Sequence, residues 1–413
     1  MFKQLNDSDS LVSRILLTLR IIILIRIGTF IPVPGINQEY LYTAIKTTPA
    51  LSMLRTFFQG DFFVLGLFSL GILPSINASI IVQLLTSVFP SLQKLQKEEG
   101  SAGRRQITQI TRYLTLAIAL AYSVSISFAV KPFMGEWTFA TVLPIVISLT
   151  TGSMVTLWFS ELITEKGVGN GSSVLISIGI LSALPKTLES LLVTQDLAIL
   201  GSAFLVFSVI IIGVIFLQEA TRIIPLVSAK QLMADSSIVG DTYLPFRLNQ
   251  AGVMPVIFAS TLLGIPAFIS NTELFQKLVA SVPFISNFFV VGYFLFYFSL
   301  ILFFSVFYST IVLDPKDLSG ELKKMAVSIS NVRPGAETEE YLKRILNKLS
   351  LLGGIFLSLL VTGPNIIAAL SPTTTSLRGF GATSLIILVG VAIEISRQVR
   401  TILITKNYDN MLM

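Results

Sequence analysis

The chain has 413 residues with a formal charge of +6. Hydrophobic residues make up 53%, charged residues 13%, and the mean hydropathy is +0.80, far more apolar than a soluble domain. With neither His nor Cys present, imidazole or thiolate metal sites, Ser-His-Asp triads, cysteine nucleophiles and histidine pH switches are excluded, and no cofactor is expected.

Met1 to Ser13 lack the basic region, short apolar core and small-residue cleavage site of a removable signal, so the first apolar stretch is expected to belong to the working protein. A bilayer-crossing helix needs about 20 mainly apolar residues, because backbone groups in lipid must be satisfied within the segment. Ten stretches qualify: Ile15–Pro32, Ile72–Phe89, Tyr113–Val130, Phe139–Phe159, Ser173–Leu184, Leu197–Leu217, Val253–Ile269, Phe288–Leu313, Leu349–Ala369 and Ser384–Leu403. The fifth is short, and can span only if its polar Gly-Asn-Gly approach is sheltered inside the protein.

With ten spans and the N-terminus on the cytoplasmic or stromal side, 22 of the 29 Lys and Arg residues fall on that side and six on the other, with Arg26 inside the first span. The positive-inside rule therefore places both termini on the cytoplasmic or stromal side. The basicity thus reads as topological and not as nucleic-acid binding. Three segments on that side, Glu98–Tyr113, Gln218–Gln250 and Asp314–Leu349, are too long or too polar for simple connectors. They read as a docking surface or as topology-setting loops.

Between the first two spans, Phe57-Phe58-Gln59-Gly60-Asp61-Phe62-Phe63-Val64-Leu65-Gly66 is apolar but glycine-broken, with Pro74 soon after. From the residues alone it is either a re-entrant half-helix or a surface amphipathic helix. Arg26, Glu161 and Glu394 lie in or at the ends of spans, where ionisable groups are costly. For Arg26 a carboxylate or backbone carbonyls are both plausible partners.

From about Arg14 to the C-terminus the chain resembles the SecY/Sec61-alpha channel family. The resemblance is carried by Arg26-Ile27-Gly28 with Ile31-Pro32-Val33-Pro34-Gly35, by Gly71-Ile72-Leu73-Pro74-Ser75-Ile76-Asn77-Ala78 and by Gln83-Leu84-Leu85-Thr86. It continues through Gly103-Arg104-Arg105, Thr111-Arg112-Tyr113, Glu165-Lys166-Gly167-Val168-Gly169-Asn170-Gly171 and Leu244-Pro245-Phe246-Arg247-Leu248-Asn249. Ala251-Gly252-Val253-Met254-Pro255, Val332-Arg333-Pro334-Gly335 and Phe380-Gly381-Ala382-Thr383-Ser384-Leu385 complete it, in the family's order and spacing.

The resemblance implies an all-α membrane protein of ten helices in two pseudo-symmetric halves, residues 1–186 and 187–413, around a central pore with a re-entrant plug. It implies a pore ring of Ile72, Ile76, Ile176, Ile257 and Ile387, since a narrow apolar constriction dewets and parts without breaking hydrogen bonds. On sequence alone each of these isoleucines is a lipid-facing or core residue. The segment Gly60, Asp61, Phe62, Phe63, Val64, Leu65, Gly66 falls at the plug, and is more aromatic than the family's usual version. A lateral gate is implied between spans two and three and spans seven and eight, with Asn77 and Gln83 as polar candidates; ordinary interhelical packing is the competing account of both.

The long basic-side loops match those on which the family docks the ribosome and the SecA motor, which singles out Arg222, Lys230, Arg247 and above all Arg333. Implied partners are a SecE-type subunit, a SecG-type subunit in some lineages, SecA, sometimes the ribosome, unfolded preproteins and membrane lipid, with no direct nucleic-acid contact. The motifs look most like cyanobacterial and algal-plastid members, which favours the thylakoid membrane over a bacterial plasma membrane. The implied function is a passive protein-conducting channel and not an enzyme. An ion-coupled secondary transporter is the alternative; it requires a midplane carboxylate cluster, and the spans are nearly empty of carboxylates.

Overall fold

The computed structural model describes residues 11–38, 65–97, 100–131, 134, 137–193, 197–228, 243–270, 283–330, 332–370 and 382–412. Every apolar stretch predicted to span coincides with a helix. In chain order these are α1 (Leu11–Thr29), α2 (Leu73–Val88), a short α3 (Pro90–Lys97), α4 (Gly100–Val130), α5 (Phe139–Lys166), α6 (Gly171–Val193) and α7 (Leu197–Glu219). Then follow α8 (Met254–Ser270), α9 (Pro283–Val312), α10 (Pro315–Lys324), α11 (Ala336–Leu370) and α12 (Ala382–Leu412). Among the described residues, Ala102–Phe128, Phe139–Lys166, Gly292–Lys324 and Ala336–Pro364 are long and apolar enough to cross a bilayer. Leu73–Val88, Gly171–Ser182, Phe204–Glu219 and Met254–Leu263 are shorter apolar helices.

The all-α expectation holds for the bulk of the described chain and needs one correction. Two segments read as loops contribute a three-stranded antiparallel sheet: β1 (Thr221–Ser228), β2 (Tyr243–Arg247) and β3 (Val327–Ile329), in the order β2-β1-β3. The physical reason is visible in β1, where Ile223, Ile224 and Val227 favour a pleated surface. Pro225 lacks a ladder donor, and β1 accommodates it opposite Tyr243. A second correction concerns the fifth predicted stretch, which ends not at Leu184 but runs on through Pro185 to Val193.

The described chain forms two compact units, one from the described residues of Met1–Val193 and Val391–Met413, the other from those of Thr194–Gly390. In the first, α2 packs on α4, α4 on α5, and α5 on both α1 and α6. Its apolar core joins Val33, Leu65 and Leu70 to Ile126, Ile145 and Leu149. Hydroxyls tie the helices: Ser123 Oγ lies 3.0 Å from Thr150 Oγ1, between α4 and α5. Close approach is enforced at Gly152, where a Cβ would run into the Leu67 carbonyl.

In the second unit α9 packs on α8 and α11, and α11 on α7 and α10. The sheet lays Ile224 and Phe246 against Leu322, Leu342, Ile345 and Leu346, which closes a separate apolar cluster beneath the strands. Phe246 is 1% exposed. The two long basic-side segments are thereby one folded platform.

Candidate functional site: buried isoleucines and the basic-side platform

The five candidate ring isoleucines are all withdrawn from the surface, with Ile72 2%, Ile76 5%, Ile176 6%, Ile257 4% and Ile387 6% exposed. None is a lipid-facing side chain. In the first unit Ile72 occupies the N-cap position of α2, with Pro74 in the first turn, and Ile76 follows one turn later. The preceding Gly71, at φ +52°, is fixed from α5: its carbonyl accepts from Thr156 Oγ1 at 2.9 Å and Ser153 Oγ at 3.3 Å. Ile176 stands in the second turn of α6.

In the second unit Ile257 lies in the first turns of α8, where Ser260 Oγ and Thr261 Oγ1 donate to its carbonyl at 2.8 and 2.7 Å. Ile387 lies in the first turns of α12, near Gly390, where a Cβ would meet Val253 and Gln218. That close approach brings Gly390 of α12 against Val253, the residue before α8.

Of the plug candidates, Gly60, Asp61, Phe62, Phe63 and Val64 lie outside the described residues, and Leu65 and Gly66 are within them. Leu65 is 2% exposed. Its N–H donates to Gln38 Oε1 at 3.0 Å and its carbonyl accepts from Val33 N–H at 2.9 Å. Leu67 N–H donates to the Ile31 carbonyl at 2.9 Å, and Gly66 bridges Pro32. The chain entering α2 is thus stitched to the chain leaving α1. Gln38, whose side-chain amide meets both backbone groups of Leu65, was not singled out from sequence, because a lone Gln carries no local signal.

Asn77 Nδ2 donates to Tyr122 Oη at 2.6 Å, an α2–α4 tie within one unit. Gln83 Oε1 is buried without a hydrogen-bond partner among the described residues. Arg26 meets a backbone carbonyl, with Nη2 donating to Ile178 O at 2.6 Å. Glu161 holds Arg112 in a two-pronged pair, Nε to Oε1 at 2.9 Å and Nη2 to Oε2 at 2.7 Å. Glu394 is exposed on α12.

On the platform, Arg222 and Arg247 are exposed at one end of the β1–β2 pair, where Thr221 stands opposite Arg247 and Arg222 opposite Phe246. Lys230 lies outside the described residues. Arg333 is exposed at a tip closed by Gly335 at φ +115°. Thr338 Oγ1 donates to the Arg333 carbonyl at 2.8 Å and Ser319 Oγ to the Gly335 carbonyl at 2.9 Å. The backbone of the tip is tied down while the guanidinium stays free to reach outward.

A profile described as SecY matches residues 66–396. The chain is 46% identical over 418 residues to a protein translocase subunit SecY of Guillardia theta, covering 99% of both chains. It is 45% identical to that of Porphyra purpurea, covering 98% of this chain and 100% of the relative. It is 41% identical to that of Synechocystis, covering 100% and 96%. In fold it is similar to a solved protein-conducting channel, with a TM-score of 0.64 at 18% identity over 94% of this chain and 91% of that one. It is also similar to Sec61 in a canine ribosome–channel complex from the endoplasmic reticulum, with a TM-score of 0.61 at 18% identity over the same shares.

Proposed function

The chain belongs to the SecY family, and from that membership we propose that it is the channel-forming subunit of a Sec protein translocase, passing unfolded polypeptides across a membrane and releasing apolar segments sideways into lipid. The observation that carries this reading is end-to-end similarity to proteins named as translocase subunits, at 46% identity over 99% of both chains. The chain is a conduit and not an enzyme; partners supply the energy.

In this reading ten helices span the bilayer in two halves, 1–186 and 187–413, with both termini on the stromal or cytoplasmic side. Ile72, Ile76, Ile176, Ile257 and Ile387 form the constriction. Their burial supports a role inside the protein, and branched apolar side chains suit a seal that parts without breaking hydrogen bonds. The segment Gly60–Gly66 is the plug. Spans two and three on one side, seven and eight on the other, form the lateral gate, with Asn77 and Gln83 on its first helix. An orphan acceptor at Gln83 suits a seam that opens, because burying it unpaired costs about 1–3 kcal/mol and opening relieves that cost.

The platform bearing Arg222, Arg247 and Arg333, together with Lys230 in the sequence that links β1 to β2, is the docking face for a SecA-type motor and for ribosomes. A SecE-type subunit, and in some lineages a SecG-type subunit, complete the complex. The algal and cyanobacterial origin of the relatives supports the plastid thylakoid as the membrane, ahead of a bacterial plasma membrane.

Photocrosslinking tests the reading. A photoreactive residue at Ile76 or Ile257 is expected to capture a translocating chain stalled in an otherwise assembled complex. No adduct at either position removes the pore assignment.

A further inference from the structure

The turn between α5 and α6 has its backbone donors met by side chains from three helices. Val168 N–H donates to Thr18 Oγ1 of α1 at 3.1 Å, and Thr18 Oγ1 donates in turn to the Arg14 carbonyl at 2.9 Å. Gly169 N–H donates to the side-chain oxygen of Gln398 on α12. Gly171 N–H donates to Thr164 Oγ1 of α5 at 2.9 Å. The turn has no slack: Gly171 lies against α5 so closely that a Cβ would enter the Ser160 carbonyl. Beyond it, Arg26 Nη2 reaches from α1 to the Ile178 carbonyl at 2.6 Å. Helix α1 therefore grips the chain on both sides of Ile176, at Val168 and at Ile178, while α12 holds Gly169 between them.

We propose that Arg26 and Gln398 are positioning residues for Ile176, fixing with Thr18 the height and rotation of the helix that carries this pore side chain. The proposal rests on the pore reading above. Thr18 and Arg26 are eight residues apart, about 12 Å along α1. A slide or roll of α6 must then break the Arg26 tie, or carry the turn with it and break the other two. Val168 and Gly169 are buried, so a bond broken there leaves an N–H that water does not readily reach, at the cost of an unpaired group. A guanidinium inside a span is costly, and its role in holding a carbonyl beside Ile176 gives a reason for its presence.

The chain has no native cysteine, so single Ile176→Cys and Ile76→Cys variants, in the assembled translocase in membranes, report position by labelling with a water-soluble maleimide. Gln398→Leu and Arg26→Met are each expected to raise labelling at Ile176→Cys about tenfold, the scale set by one lost buried hydrogen bond. Labelling at Ile76→Cys, on a different helix, is expected to change less than about twofold, the additive behaviour of an uncoupled site. Gln398→Glu keeps an acceptor oxygen and is expected to stay within about twofold of the parent at both positions.

A rate unchanged or lowered at Ile176→Cys, a rise shared equally by Ile76→Cys, or loss of the effect's dependence on the acceptor at 398 overturns the proposal. Should Arg26→Met fail to assemble, the Gln398 pair decides alone. Failure of the pore reading is distinguishable: a photoreactive residue at 176 in the parent then captures no stalled chain.

Discussion

Asn77 and Tyr122 are joined at 2.6 Å between Nδ2 and Oη, which ties α2 to α4 inside a single unit. A polar pair of this kind within a membrane contributes about 0.6 kcal/mol and seldom more than about 1.7. Asn77→Val and Tyr122→Phe are therefore expected to be non-additive, with a coupling near about 1 kcal/mol in a double-mutant cycle read by unfolding in mild detergent. Additive losses would mean that the bond contributes nothing.

Arg112 and Glu161 pair in two-pronged geometry, but the side chains are 49% and 23% exposed. An exposed pair contributes about 0–1 kcal/mol and weakens with salt. Glu161→Gln is expected to lower stability by no more than about 1 kcal/mol at low salt, with the difference vanishing near 1 M salt. The swap Arg112→Glu with Glu161→Arg is expected to recover most of it, measured by thermal unfolding. A loss that persists at high salt would show that the pair does more than tie α4 to α5.

Close packing makes one glycine intolerant and another indifferent. At Gly152 a Cβ runs into the Leu67 carbonyl, whereas at Gly363 an added Cβ meets nothing within 4 Å among the described residues. Gly152→Val is expected to cost about 1–3 kcal/mol or to abolish assembly. Gly363→Ala, in a helix, is expected to be neutral or to stabilise by about 0.5–1 kcal/mol. Melting temperatures of the two purified proteins check the contrast.

Phe246 anchors the platform at 1% exposure among Ile224, Leu322, Leu342 and Leu346. Phe246→Ala is expected to cost about 3–5 kcal/mol, the usual loss for emptying an aromatic core position. Limited proteolysis is expected to open the platform first and to leave the spanning helices intact. Simultaneous cleavage throughout would show that the platform is not a separately folded cluster.

Arg333 is exposed while its backbone is held by Thr338. Arg333→Ala is thus expected to leave stability within about 0.5 kcal/mol. A docking anchor typically loses 2 kcal/mol or more on truncation, about a thirtyfold drop in affinity for the motor. Arg333→Lys is expected to recover little, because a point charge does not reproduce a planar fork. Motor-driven uptake of a preprotein into vesicles, beside a direct binding titration, reads both effects.

Much of the helical frame was legible in the residues. Each stretch long and greasy enough to cross lipid became a helix, because a segment in lipid must satisfy its own backbone and so decides its structure locally. The Gly-Asn-Gly approach was expected to be sheltered, and Gly169 and Gly171 are buried, but the premise of a short fifth stretch does not hold, since its helix runs on to Val193. The family's motifs singled out the five isoleucines, and burial agrees with an interior role for each.

What only the folded chain decided are the pairings between distant segments outside that local rule. Strand β1 finds β3 about a hundred residues away, with Leu226 opposite Ile329, and no short pattern encodes that register. Arg26 had either a carboxylate or a carbonyl open to it, and packing of α1 beside α6 delivered the Ile178 carbonyl. Gln38, Thr18 and Gln398 became structural only when the fold set a bare N–H beside each. Hydropathy and charge act on each segment by itself and therefore read directly from the sequence; hydrogen bonds across the fold depend on which segments are brought within 3 Å, and only tertiary packing determines that.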